Sequence, residues 1–342
     1  MTILITGGCG FIGSAVVRHL IRETTHAVVN VDKLTYAGHP ENVTEAAESD
    51  RYELQTVDIT EAREVQSLFA QYEPGAVMHL AAESHVDRSI EGPADFIQTN
   101  VIGTYNLLDA ALEHWRGLPE QKRSTFRFLH VSTDEVYGQL GDAGYFTEST
   151  PYDPRSPYSA SKAGSDHLAR AWQHTYGLPV IITNCSNNYG PYQYPEKLIP
   201  VVILRAINGE PIPVYGEGQN VRDWLFVEDH VTALMAVLKA GRVGETYVVG
   251  GEAERRNIDL VHKVCELLDE MRTPPGSHSS HAELITFVKD RPGHDYRYAI
   301  DPSKIKDELG WSQMVDFGEG LRRTVEWYLS NLEWCRTVRE SA

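Results

Sequence analysis

Tyr158 and Lys162 stand four residues apart in the run Tyr158-Ser159-Ala160-Ser161-Lys162, a spacing that puts both side chains on one face of a helix. A phenol titrates near pH 10, so to act as a base near neutrality its pKa must fall by about 3 units, worth roughly 4 kcal/mol. A nearby ammonium and a positively charged cofactor ring supply that kind of shift. Taken alone, such a pair reads better as an ordinary helix surface pair. Further back, Thr133-Asp134-Glu135 follows an apolar run and sets two carboxylates side by side. Two carboxyl groups forced together tend to leave one protonated, which gives an acid and a base in one place. The same triplet on its own would also suit a solvated turn or a helix cap.

A third group gives these residues a context. Gly7-Gly8-Cys9-Gly10-Phe11-Ile12-Gly13 follows the apolar stretch Ile3-Leu4-Ile5 and opens a helical pattern. Glycines at this spacing allow a tight turn and a close backbone approach to a pyrophosphate, which then faces a helix N-terminus. Asp32 ends the second apolar stretch, where a carboxylate holds the ribose hydroxyls of a bound dinucleotide. It would repel a 2′-phosphate, so the pattern favours NAD over NADP.

The elements that must position these groups alternate. Strands are expected at Ile3–Ile5, Ala27–Val31, Arg51–Val57, Ala76–Leu80, Phe126–Val131 and Val180–Thr183. Helices are expected from Phe11 to Arg22, after Thr60, after Pro93 and from Tyr158 to His174. Short apolar strands alternating with helices predict an α/β fold, a Rossmann-type doubly wound parallel sheet. After Asn184 proline and glycine become frequent, and helices are expected near Val227–Ala240, Asn257–Met271 and Gly318–Leu329. This predicts residues 1–184 as an NAD-binding Rossmann domain and 185–342 mainly as a smaller mixed α/β substrate lobe. A return to the sheet is expected near Tyr247–Val249, and Thr273–Ser277 is read as a surface loop.

Composition narrows the function classes. The 342 residues are 42% hydrophobic and 23% charged, with a formal net charge of −17. So acidic a chain is a poor partner for nucleic acid or an anionic membrane, and no apolar run is long enough to span a bilayer. Cys9, Cys185, Cys265 and Cys335 form no CxxC pair and no zinc spacing. The His278…His281 pair reads as solvated, so no metal is expected. The N-terminus opens directly into a strand pattern. Together these features predict reduced thiols and a cytoplasmic protein.

Over nearly its whole length the sequence resembles the extended short-chain dehydrogenase/reductase superfamily and, within it, the dTDP-glucose 4,6-dehydratases. The resemblance rests on Gly7–Gly13, Asp32-Lys33-Leu34-Thr35-Tyr36-Ala37-Gly38, Ala81-Ala82-Glu83-Ser84-His85-Val86-Asp87, Thr133-Asp134-Glu135, Tyr158–Lys162, Asn187–Pro191 and Arg222-Asp223-Trp224. Thr133-Asp134-Glu135 discriminates, because sugar epimerases of the superfamily lack both acids there. The resemblance implies dehydration of dTDP-glucose to dTDP-4-keto-6-deoxyglucose: oxidation at carbon 4, loss of water across carbons 5 and 6, and return of hydride to carbon 6. Tyr158, Lys162 and Thr133 would serve the oxidation, Glu135 would be the base at carbon 5, and Asp134 the acid at the 6-hydroxyl. The implied NAD site comprises Gly7, Gly10, Phe11, Ile12, Gly13, Asp32, Lys33, Leu34, Thr35, Gly38, Asp58, Ile59, Leu80, Ala81, Ala82, Ser84, Thr99, Ser132, Tyr158, Lys162 and Asn188. The implied nucleotide-sugar site comprises Ser84, His85, Thr133, Glu135, Asn187, Lys197, Leu198, Pro213, Tyr215, Arg222, Asn257, Arg291, His294 and Tyr298.

The competing readings are a UDP-linked dehydratase, a 4-epimerase or a decarboxylase on the same fold, and, in a different class, a non-catalytic NAD sensor. The acid pair argues against an epimerase or decarboxylase, and Tyr158 with Lys162 against a sensor. The helices beginning near Pro93 and Tyr158 carry apolar faces, and such helices pair between subunits in related enzymes, so a homodimer is expected.

Overall fold

The computed structural model describes residues 1–340. Six strands alternate with helices through the first half of the chain: β1 (Thr2–Thr6), β2 (Ala27–Val31), β3 (Tyr52–Gln55), β4 (Ala76–His79), β5 (Arg127–Thr133) and β6 (Val180–Cys185). Six more strands follow: β7 (Asn187–Tyr189), β8 (Ile212–Tyr215), β9 (Val221–Phe226), β10 (Thr246–Val249), β11 (Glu254–Arg256) and β12 (Ile285–Val288). The main sheet is parallel throughout, in the order β3-β2-β1-β4-β5-β6-β10. The order reverses at β1, which opens a crevice at the carboxyl ends of β1 and β4, the usual ligand position in such sheets.

The period of two along a strand builds the two layers. In β1, Ile3 and Ile5 face a core with Val16, Val17 and Leu20 of the helix Phe11–Glu23 and Leu234 and Val237 of the helix Val227–Ala240. Leu4 faces the opposite core, with Val65 and Leu68 of the helix Ala62–Tyr72 and Leu107, Ala111 and Ala169 beyond them. All three β1 side chains are fully buried, which is why the strand reads as an unbroken apolar run. A separate core, including Tyr189, Val202, Leu260 and Leu321, sits under the irregular second part of the chain. There β7-β9-β11 form a mixed three-stranded sheet, and β8 and β12 pair in parallel.

Three differences from the sequence expectation bear on the site. The ladder between β5 and β6 continues two residues further than the apolar runs suggest, pairing Ser132 with Asn184 and Thr133 with Cys185. Thr133 is therefore a strand residue, rigidly held, with the acid pair just past the strand's end. The expected long helix after Pro93 comes in three joined pieces, Pro93–Phe96, a π-helical segment Ile97–Gly103, and Thr104–Gly117. Asn100, in the widened segment, accepts from the Glu83 N–H (2.9 Å) and donates to the Glu83 carbonyl (2.9 Å) and the Ser161 hydroxyl (2.8 Å). These contacts pin the loop after β4 to the helix that carries Tyr158. Finally, His281 is not solvated: it is fully buried and bound to Asp269, while its neighbour His278 meets Glu283 at the surface. The expected loop 273–277 lies outside helices and strands.

Candidate active site

β1 ends at Thr6, and Gly7 turns the chain with φ +73°. A Cβ on Gly7 would lie 2.7 Å from the Ala81 backbone, and one on Gly13 would overlap the Gly7 carbonyl oxygen, so both positions require glycine. The helix Phe11–Glu23 starts at Gly10 with no side-chain cap and no acid in its first turn. Its N-terminal N–H groups and positive dipole end thus face the cleft uncompensated, which suits a pyrophosphate. Asp32 accepts the N–H groups of Cys9 (2.9 Å) and Leu34 (2.9 Å). Burial pushes its pKa up, and these two bonds oppose the shift. The second bond holds Leu34 in a left-handed conformation, φ 56°. Gly38 closes against the same carboxylate, where a Cβ would stand 2.7 Å from Oδ1. Glycines that make room, a bare helix N-terminus and a carboxylate at the end of β2 are the features an NAD molecule needs, so the residues present fit that cofactor.

One cleft gathers most of the expected residues. Its walls include Gly7, Gly10, Phe11, Ile12, Gly13, Asp32, Lys33, Thr35, Gly38, Ile59, Leu80, Ala81, Ala82, Ser84, Thr99, Ser132 and Asn188, together with Thr133, Asp134, Glu135, Tyr158, Lys162, Asn187 and Lys197. Leu34 and Asp58 are not on this wall. Asp58 pairs with Lys33 at 3.5 Å, and the Lys33 ammonium also reaches the Thr99 hydroxyl at 3.3 Å. Sequence reasoning missed several wall residues, among them Glu83, Cys185, Ser186, Gln193, Tyr194 and Glu196. The charged pair Glu196-Lys197 amid aromatic residues was the available signal for the last of these.

Of the remaining residues expected at the nucleotide sugar, His85 follows β4 and the others come from the second lobe; none of them is on that wall, though Lys197 is. Lys197 donates to the Ser84 carbonyl at 3.1 Å, and His85 lies 3.7 Å from Glu196. Burial lowers the His85 pKa to about 4, which keeps it neutral. Leu198 begins the helix Leu198–Asn208, and Pro213 lies on β8 two residues before Tyr215. Arg291 reaches Asp87 at 3.5 Å, the Tyr215 hydroxyl lies 3.5 Å from the same carboxylate, and the Tyr215 ring meets His294 edge-on. Arg222 donates to the carbonyls of Asp295 (2.9 Å) and Tyr296 (3.3 Å), with its guanidinium over the Tyr298 ring. The Asn257 N–H donates to the Asn220 carbonyl at 2.9 Å.

Tyr158 stands in the first turn of the helix Pro157–Tyr176, which Ser156 and Ser159 close with a capping box. Its phenol is pushed well up, first by burial and then by the Glu135 carboxylate, with a Thr133 hydrogen bond opposing. Lys162 is buried one turn on and donates to the Val131 carbonyl at 2.9 Å. The sequence expectation had the Lys162 ammonium and a cationic nicotinamide act together; in the protein without the cofactor, burial and the Glu135 charge outweigh the Thr133 hydrogen bond.

Burial raises both acids, Asp134 the further. Burial holds the Asp134 carboxyl well above the usual range, and the neighbouring Glu135 and Asp223 push it further. Its Oδ2 is buried with no hydrogen-bond partner among the described residues. Glu135 is also raised by burial, but Arg222, Arg291 and Lys197 pull it back down. An adjacent pair whose environments separate their pKa values supplies a proton donor and a proton acceptor together.

Among the described residues, no cluster of three His, Cys, Asp or Glu side chains could hold a metal ion, and no helix is long and apolar enough to cross a membrane. All four cysteines are buried and free.

Comparison with known proteins agrees with this geometry. The family model described as GDP-mannose 4,6 dehydratase matches residues 4–324. The chain is 60% identical to the dTDP-glucose 4,6-dehydratase of Neisseria meningitidis serogroup B, covering 98% of this chain and 95% of that protein. It is 57% identical to the same enzyme of Salmonella typhimurium, covering 100% of this chain and 96% of that one. Among solved structures, the dTDP-glucose 4,6-dehydratase of Streptomyces venezuelae with NAD and TYD bound superposes with a TM-score of 0.89 at 44% identity, covering 99% of this chain and 100% of that chain.

Proposed function

The chain belongs to the dTDP-glucose 4,6-dehydratase family, and from that membership we propose how its own residues carry the reaction. The protein is an NAD-dependent hydro-lyase that converts dTDP-glucose to dTDP-4-keto-6-deoxyglucose.

Tyr158 takes the proton of the sugar's 4-hydroxyl, with the Thr133 hydroxyl bonded to the same oxygen and Lys162 keeping positive charge beside it. Bound NAD supplies the two-electron chemistry, accepting hydride from carbon 4 and returning it to carbon 6. With carbon 4 a ketone, the carbon 5 proton becomes removable, and Glu135 removes it. Asp134 gives its proton to the departing 6-hydroxyl, which leaves as water. Carbon 5 is then reprotonated, so the product is the substrate less one water. The observation that carries this reading is the asymmetry of the acid pair: burial and Glu135 favour the protonated form of Asp134, while Arg222, Arg291 and Lys197 offset the burial that raises Glu135. Each positioned acid or base is worth about 10²–10⁴ in rate.

Residues 1–184 serve as the NAD-binding domain, and 185–342 serve mainly as the lobe for the nucleotide sugar, with β10 returning to the sheet beside β6. Lys197, Arg222 and Arg291 supply the cations that a diphosphate needs on so acidic a chain. The protein acts as a cytoplasmic homodimer. Exposed Ile90, Ile97, Ile102, Tyr105 and Tyr176, on and beside the helices flanking the site, supply an apolar face for the partner.

Substrate deuterated at carbon 4 tests the reaction. The label should appear at carbon 6 of a 4-keto-6-deoxy product. Label released to solvent, or no product from dTDP-glucose alongside product from UDP- or GDP-glucose, would overturn the reading.

A further inference from the structure

Behind the catalytic pair lies a buried polar cluster that the reaction scheme leaves unused. Asp166 follows Lys162 by four residues on the same helix and is fully buried. Three donors converge on its carboxylate: the His130 ring at 3.0 Å, the Tyr152 hydroxyl at 2.8 Å and the Asn184 amide at 3.1 Å. The same Asn184 nitrogen donates to the Thr133 carbonyl at 3.0 Å, and its oxygen accepts from the Tyr137 hydroxyl at 3.3 Å. Arg170 braces the far side, donating to the Tyr152 hydroxyl at 2.7 Å. One carboxylate is thus tied by sequence spacing to Lys162 and by a single amide to the strand end that carries Thr133.

A lone buried carboxylate would normally take up a proton, and so many donors on it mean the reverse. Despite its burial, the bonds from His130 and Tyr152 and the nearby Lys162 hold Asp166 below the usual carboxylate range. Lys162 has the complementary problem. Its ammonium donates to a neutral carbonyl, and burial disfavours its charged form. The groups that face it are His79 from β4, His130 from β5, Cys185 from β6, and Asp166 on its own helix. The two histidines are pushed toward their neutral forms by burial, and burial raises the Cys185 thiol to about 12. That leaves Asp166 as the anion that keeps Lys162 charged.

We propose that Asp166 is a positioning residue for the oxidation at carbon 4, keeping Lys162 protonated and, through Asn184, fixing the end of β5 where Thr133 meets the substrate. The inference rests on the reading of Tyr158 and Lys162 as the oxidation pair.

The test compares the NAD-loaded full-length protein with Asp166→Asn, Asp166→Glu, Asn184→Ala and Lys162→Met. Asp166→Asn should keep its NAD and its thermal transition, hold KM within about 2-fold, and lose about 10-fold or more in kcat. Its alkaline limb, where Lys162 gives up its proton, should move about one unit toward lower pH, because the opposing charge is gone. Asp166→Glu keeps the anion and should keep the limb in place. Asn184→Ala breaks only the link to Thr133, so it should lower kcat and leave the limb unmoved. An Asp166→Asn protein with the native kcat and pH profile overturns the proposal. So does one that fails to fold or to retain NAD while Asn184→Ala turns over normally, because the carboxylate would then serve folding alone. Full activity in Lys162→Met would instead sink the oxidation pair itself, which separates the two failures.

Discussion

Lys197 donates its ammonium to the backbone carbonyl of Ser84 at 3.1 Å, across 113 residues of sequence. Ser84 belongs to the loop after β4 and Lys197 to the start of the second lobe, so one hydrogen bond joins the cofactor side of the cleft to the nucleotide-sugar side. Lys197 is also one of three cations that favour the ionised form of Glu135. Lys197→Met keeps the stem and removes both roles. A charged hydrogen bond is worth about 1.5–3 kcal/mol, so KM for dTDP-glucose should rise by about 10-fold to 100-fold. Steady-state kinetics with KM unchanged would show that the lysine does not meet the substrate.

Glu135→Gln and Lys162→Met should fail at different steps. The glutamine variant keeps the oxidation machinery and loses the base at carbon 5, so turnover should fall by about 10²–10⁴. Mixed with substrate, it should show a persistent near-ultraviolet band of reduced cofactor. Lys162→Met should turn over slowly and show little of that band. A Glu135→Gln protein running near the native rate would move the carbon 5 base to Asp134 or a water.

Asp134 ties stability to pH. The fold raises its pKa, so the folded protein holds a proton that the unfolded chain begins to release near pH 4. That contribution is complete below the unfolded value and is lost as pH rises through the folded one. Asp134→Asn keeps the shape and removes the dependence. Relative to the native protein it should gain stability at alkaline pH, by about 1.4 kcal/mol for each unit of pKa elevation. Its turnover should fall by about 10²–10⁴ as the acid is lost. Denaturant midpoints measured at acid and alkaline pH check the first claim. Parallel curves for the two proteins would contradict it.

Gly13→Ala should expel the cofactor. The added methyl would overlap the Gly7 carbonyl oxygen, and the clash is with backbone, which cannot move aside cheaply. Overpacking of this kind costs about 1–3 kcal/mol. The purified variant should carry little NAD and melt at a lower temperature. Native cofactor content would mean that the turn relaxes elsewhere.

Ile97 and Tyr105 lie exposed on the helical stretch after Pro93, two turns apart. Replacing both with aspartate places two charges in the proposed partner face, where burial without a counter-charge is costly. The mass in solution should fall from dimer to monomer by light scattering. A native protein that is already monomeric at micromolar concentration would remove the dimer proposal.

What the sequence determined alone was local: glycines that only a tight turn explains, an acid at a strand end, two groups one helical turn apart, and two carboxylates in adjacent positions. Each of these is fixed by backbone sterics or by the 3.6-residue period, which do not depend on the rest of the fold. Continuous apolar runs likewise announced buried parallel strands, since both faces of such a sheet are covered. The tertiary structure decided everything that depends on distance through space. It alone gave Asp134 and Glu135 different surroundings, because burial and three cations from the second lobe are long-range facts. It placed the Lys162 ammonium on the Val131 carbonyl and buried the Tyr158 phenol, since desolvation cannot be read from spacing. Asp166 carried no sequence signal, because a buried carboxylate is defined by its donors, and those arrive from β5, from β6 and from the loop that holds Tyr152.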